Sequence, residues 1–102
     1  MYDMNNVKKL SRLGELAPAA WQAFVAFDKA ALAEGALSVK MKELMAVAVA
    51  LTTQCPYCIE IHRKKAVKAG ASEAELAETA MVAAVLGAGA AVTHATHLLG
   101  DA

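Results

Sequence analysis

Apolar residues recur every three or four positions along most of the chain, and no stretch alternates in the manner of a half-buried strand. The pattern predicts an all-α protein built on antiparallel helix hairpins. Residues 1–13 are polar and weakly patterned. Val7, Leu10 and Leu13 are spaced three apart there, which fits a short docking helix. Pro18 opens the first strong helix, because proline fixes φ near the helical value and brings no N–H to be left unpaired in the first turn. Its stripe runs Trp21, Phe24, Val25, Asp28 and Leu32, widened by Phe27 and Ala31, and Gly35 is placed to end it. Trp21 and the two phenylalanines read as core, with a substrate-facing aromatic the lesser alternative. Ser38 can cap a helix that runs to about Thr53, although Met41 at the third position leaves it without a capping box. From Leu44 to Leu51 this helix is apolar on all sides, so it needs cover on every face, from its own domain or from a neighbouring subunit. Glu43 stands at the edge of that run. A further helix is expected from Pro56 to about Ala69, stopped by Gly70. Ser72-Glu-Ala-Glu75 is a capping box that starts a helix through about Leu86. Gly87-Ala-Gly89 then allows a break or a close helix contact before a last apolar segment ending near Leu99.

Size and composition narrow the picture. A chain of 102 residues makes one domain, spanning 1–102. Ten Lys and Arg balance ten Asp and Glu in an interspersed order, which argues against nucleic acid or an acidic membrane surface as partner. The apolar share of 58% exceeds the usual ~45–50%, and a small domain cannot hide that much internally. Burial between copies, and hence a homo-oligomer, is expected. The longest uninterrupted apolar runs, Leu44–Leu51 and Ala80–Val92, fall short of the roughly 18 residues that mark a membrane span. The leading residues carry no signal-peptide pattern, so a cytoplasmic protein is expected. The Lys8/Lys9 and Arg63-Lys64-Lys65 clusters read as solvated helix faces, and Met41, Met45 and Met81 as core filler.

The chemistry concentrates in Cys55-Pro-Tyr-Cys58-Ile-Glu-Ile-His62, which holds both cysteines and one of the three histidines. With Pro56 at the first helical position, Cys55 lies at the helix entrance, Cys58 one turn in, and His62 one turn further on the same face. Residues three apart on a helix have Cα atoms within the span a disulfide bridges. The leading reading is therefore a dithiol that closes reversibly, with a base stacked above it. An ordinary thiol is only about 3% ionised at pH 7, and a helix N-terminus raises that to roughly 14%. The dipole alone is insufficient; His62 supplies the base and needs an orienting partner in turn. If the helices at 39–53 and 56–69 form a hairpin around Gln54, Glu43 lies about 6 Å along the axis from His62, close enough for side chains or a water to bridge. Zinc held by Cys55, Cys58, His62 and Glu43 competes with this reading, although tetrahedral sites usually draw on two separated ligand pairs. So does a pair of inert core cysteines. Haem attachment is discarded, because Ile59 stands where histidine would follow the second cysteine. His94 and His97 share a face by spacing, with a surface or interface role favoured over a ligand pair.

Glu43 followed by Cys55-x-Tyr57-Cys58-x-x-x-His62 resembles the AhpD-like branch of the carboxymuconolactone decarboxylase family, including the twelve-residue interval from Glu43 to Cys55. Gly35-Ala-Leu-Ser, Lys42-Glu43-Leu44, Ala69-Gly70-Ala71-Ser72, Glu75-Leu-Ala-Glu78 and Gly87-Ala-Gly-Ala are similar to that family's flanks, so the resemblance covers about residues 14–95. It implies an all-helical domain assembled as a homotrimer or homohexamer. It also implies thiol-dependent reduction of hydroperoxides through a redox-active Cys55–Cys58 disulfide, with no bound cofactor. Electrons would come from a thiol reductant such as a lipoylated protein and pass to a peroxiredoxin. By position, Cys58 would attack and Cys55 resolve, with Glu43, Tyr57 and His62 in the proton relay. This order differs from that of thioredoxin-type motifs, and the register of His62 with Cys58 supports it. AhpD itself carries two such helical units and this chain one, so its partners can differ. Carboxymuconolactone decarboxylases share the fold but generally lack the dithiol, which makes lactone decarboxylation the alternative activity and a non-catalytic zinc-binding or scaffold module the third.

Overall fold

The computed structural model describes residues 2–101, whose regular structure is five α-helices and two short 3-10 helices, with no strand among the described residues. A 3-10 turn at Met4–Lys9 leads into α1 (Leu10–Leu16), followed by α2 (Pro18–Leu32), α3 (Val39–Thr53), α4 (Pro56–Lys68) and α5 (Glu73–His94), and a 3-10 turn at Ala95–Leu98 follows. The starts lie where local chemistry puts them. Pro18 and Pro56 occupy the first turns of their helices, the Ser38 side chain accepts the Met41 N–H, and Ser72 and Glu75 form the reciprocal capping box. The expected docking helix near the beginning is present as the 3-10 turn plus α1.

α3 is the centre of the fold, packing along α4 and also against α5. Leu44, Val47 and Ala50 of α3 are buried with Ala66 of α4, Ala71 of the connecting loop and Ala83 of α5, and Leu76 packs onto this cluster. Small residues at the contact let the helices approach closely. Lys40 of α3 pairs with Glu75 of α5 at 2.8 Å. Lys42 Nζ donates to the carbonyls of Ala31 and Ala33 at 3.0 and 2.6 Å, capping the end of α2 and tying it to α3.

Three sequence expectations are corrected. Gly87 and Gly89 neither break α5, which runs unbroken through them, nor mark a close contact, since a Cβ at either would meet nothing within 4 Å. α5 with the turn after it, Glu73–Leu98, is consequently long and apolar enough to cross a membrane by length and composition, which the uninterrupted apolar run alone did not suggest. The aromatic residues of α2 are not core: Trp21 is half-buried, while Phe24 and Phe27 are 56% and 71% exposed. Met41, Met45 and Met81 are exposed as well, and so is Val49 of α3, because a single chain covers only one side of that helix. The physical reason is the arm formed by α1 and α2, which packs on itself and touches α3 only lightly. The Cα radius of gyration is 17.3 Å, against about 13 Å for a compact chain of this length.

Candidate active site

The site is made by the reversal between α3 and α4. Gln54 takes the left-handed conformation (φ 57°, ψ 47°), its N–H and that of Cys55 both bond to the Ala50 carbonyl, and Pro56 starts the next helix at once. The hairpin brings His62 opposite Glu43. The contact is direct where the helical register suggested a gap to be bridged: His62 Nδ1 lies 2.7 Å from Glu43 Oε2. A carboxylate only accepts, so we assign the proton to Nδ1, which leaves Nε2 as the basic nitrogen. The Glu43 side chain is only 4% exposed, and this bond is what makes its burial beside an apolar helix tolerable.

Cys55 is the N-cap of α4. Its sulfur accepts the Cys58 N–H at 3.3 Å and the Cys58 thiol at 2.8 Å, and both cysteines are free. These contacts divide the charge unequally. The Cys55 thiol is pulled below its ordinary value of 9.0, first by the hydrogen bond from the Cys58 side chain and then by the Cys58 N–H. Cys58 is pushed up to about 11, mainly by donating to Cys55, with burial and the neighbouring charge adding to it. Of the two sulfurs, Cys55 is therefore the one that gives up its proton more readily. Access has the opposite bias. Cys58 and His62 both line a cavity of about 520 Å³ between the beginning of the chain, α2 and α4. Both also line a shallower one of about 330 Å³ on the other side of Phe24, and Cys55 lines neither.

The structure thus forms two pairs, Glu43–His62 and Cys55–Cys58, with Cys58 and His62 lining the same cavities. Tyr57 belongs to the same turn, but its hydroxyl is engaged by the beginning of the chain. It accepts from Asn6 Nδ2 at 3.0 Å and from the Asp3 N–H at 3.3 Å, and the Tyr2 ring packs edge-on at 5.1 Å. His94 and His97 have rings 5.8 Å apart but line neither cavity. Among the described residues no group of three or more His, Cys, Asp or Glu side chains is arranged to hold a metal ion. Sequence reasoning passed over Asp28, which lines both cavities beside Cys58 and His62. Its signal was a carboxylate on an otherwise apolar helix stripe.

Comparison with known proteins follows this geometry. The family model described as the carboxymuconolactone decarboxylase family matches residues 18–101. An uncharacterised protein of the cox locus of Paracoccus denitrificans is 44% identical over 97% of this chain and 92% of its own length. An uncharacterised protein of Cupriavidus necator is 34% identical over 90% of this chain and 81% of its own. Among solved structures, a carboxymuconolactone decarboxylase family protein from Legionella pneumophila superposes with a TM-score of 0.78 at 35% identity, covering 90% of this chain and 82% of that one. A protein from Methanobacterium thermoautotrophicum gives 0.80 at 36% identity, covering 84% and 97%.

Proposed function

The chain belongs to the carboxymuconolactone decarboxylase family, and from that premise we propose that it is a thiol-dependent oxidoreductase of the AhpD-like kind that reduces organic hydroperoxides. The observation that carries this reading is the pair of free sulfurs 2.8 Å apart at the start of α4, one of them sharing a cavity with a histidine held by a buried carboxylate. Cys58 is the sulfur that meets substrate. Its proton passes to the Cys55 thiolate, already its hydrogen-bond partner, or to His62 Nε2. The Cys58 thiolate attacks the hydroperoxide, the O–O bond breaks, and Cys58 becomes a sulfenic acid while the alkoxide takes a proton and leaves as alcohol. Cys55 as thiolate then displaces hydroxide from that sulfenic acid, which leaves as water and closes the disulfide. In sum, two thiols and one hydroperoxide give one disulfide, one alcohol and one water. A thiol reductant returns the two electrons. A lipoylated protein is the candidate donor and a peroxiredoxin a candidate recipient, by resemblance to AhpD. The test mixes fully reduced protein with cumene hydroperoxide and counts free thiols. Loss of both per chain, with one alcohol formed, is expected. Thiols that persist in excess peroxide would overturn the reading, and lactone decarboxylation would leave them untouched.

The same chain is proposed to self-associate. Phe27, Val49, Val82, Val85 and Leu86 are each more than half exposed, on helices that otherwise have an apolar face without cover. Three or six copies are the numbers the family resemblance favours. Light scattering at micromolar concentration should return a multiple of the 10.6 kDa chain mass; a monomer mass there would sink the proposal.

A further inference from the structure

The residues before the family match are not peripheral to the site. Asp3 caps the first 3-10 turn by accepting the Asn5 N–H at 2.9 Å, and the next residue, Asn6, donates to the hydroxyl of Tyr57, 51 positions away. Tyr57 is one of the two residues between the cysteines in sequence, and its hydroxyl is bonded by the beginning of the chain. Asn6, Val7 and Leu10 then continue as one wall of the 520 Å³ cavity that Cys58 and His62 also line. The facing wall comes from Trp21 and Phe24, whose rings lie 5.7 Å apart, and from Ile61. Trp21 can lie against α1 only because Gly14 is there: a Cβ on Gly14 would stand 2.7 Å from the indole. The formal charges that line this cavity cancel, one Asp28 carboxylate against one Lys65 ammonium, and the lining is otherwise mostly apolar. The space suits a compact, uncharged hydrocarbon group.

We propose that the segment Asp3–Leu10 is a wall of the substrate site, that it selects compact uncharged aryl or branched alkyl groups for delivery to Cys58, and that Asn6 is a positioning residue acting through Tyr57. The selection rests on the peroxidase reading above, whereas occupancy of the cavity does not. The segment lies outside residues 18–101, the span that the family model matches.

The probe is 2-phenyl-2-propanol, the redox-inert alcohol that cumene hydroperoxide leaves behind. Trp21, the chain's single tryptophan, reports on it from inside the cavity. Titration of the reduced full-length protein should give a saturable change in Trp21 emission. Leu10→Ala removes apolar contact, and Asn6→Ala removes the shorter of the two bonds to the Tyr57 hydroxyl together with part of the wall, so each should weaken binding about tenfold. Asn6→Gln, which keeps the amide donor, should recover part of the loss. In turnover, both alanine variants should lower kcat/KM for cumene hydroperoxide more than for hydrogen peroxide, so that the ratio falls about tenfold, mostly through KM. An absent Trp21 response in the wild type, an affinity unchanged in both alanine variants, or an equal loss toward the two peroxides overturns the proposal. Saturable binding in a protein whose thiols ignore hydroperoxide would instead discard the peroxidase reading and, with it, the selection, leaving the cavity assignment standing.

Discussion

Cys58→Ser should consume no hydroperoxide, whereas Cys55→Ser should consume one equivalent and stop. The first variant removes the cysteine sulfur that lines both cavities beside His62. The second leaves Cys58 to attack once and to remain as a sulfenic acid with no internal thiol to resolve it. The charge distribution sharpens the expectation. Cys58 stands at about 11 chiefly because it donates to Cys55, so Cys55→Ser removes the main cause and should bring Cys58 back toward the ordinary thiol value of 9.0. The rate of the single burst in Cys55→Ser should therefore rise with pH and level off well below 11. A stopped-flow pH series on that variant, with a sulfenic-acid trap to count the product, gives both numbers. A burst found in Cys58→Ser and missing from Cys55→Ser would reverse the roles, and the low value at Cys55 would then identify the attacking sulfur.

His62→Ala and His62→Gln should both slow the burst, by roughly 10²-fold or more if Nε2 is the general base. They should differ in stability. His62→Ala leaves the Glu43 carboxylate buried without its hydrogen bond, at a cost of about 1–3 kcal/mol. His62→Gln retains a donor that can reach toward the same oxygen and should melt closer to wild type. Glu43→Gln keeps the shape and an acceptor for Nδ1 but removes the charge, so it should slow the burst less than loss of the ring. Raising the pH should recover part of each kinetic loss, since hydroxide then does the deprotonation. Thermal melts beside the burst kinetics separate the two effects. A burst rate indifferent to His62 would remove the relay from the mechanism.

The helix starts were legible because capping and proline placement are local chemistry: Pro18, Ser38, Pro56 and Ser72 announce themselves within four residues. The Glu43–His62 pairing was legible because a hairpin of two helices has a computable register, and only its closeness was underestimated. The charge division between the cysteines was not read: the spacing put the base beside Cys58, whereas the cap position lowers Cys55 and the bond that Cys58 donates raises Cys58. Other features depend on distant partners. Nothing near Asn6 or Tyr57 signals that they meet across 51 residues. Apolar stripes on α2 and α5 show that a face needs cover and do not say what supplies it, which is why Phe24, Phe27 and Met81 were misplaced in the core. Gly87 and Gly89 were read as punctuation because isolated glycines are ambiguous inside a long apolar helix.

Cys55 caps α4 with the same sulfur that the proposed redox step would use, and this has a consequence for order along the helix. A thiolate is a strong acceptor for the Cys58 N–H, while a half-cystine sulfur is neutral and a poor one. Closing the Cys55–Cys58 bond therefore pulls in two directions at once. It cross-links a loop of a few residues, for which the entropic gain is small, and it weakens the sulfur acceptor that caps the first turn. In most proteins oxidation of a dithiol is a tightening event. Here the oxidised form trades an electrostatic clamp for a covalent one at the same spot, so an incoming reductant meets a helix end whose amides have lost their best acceptor.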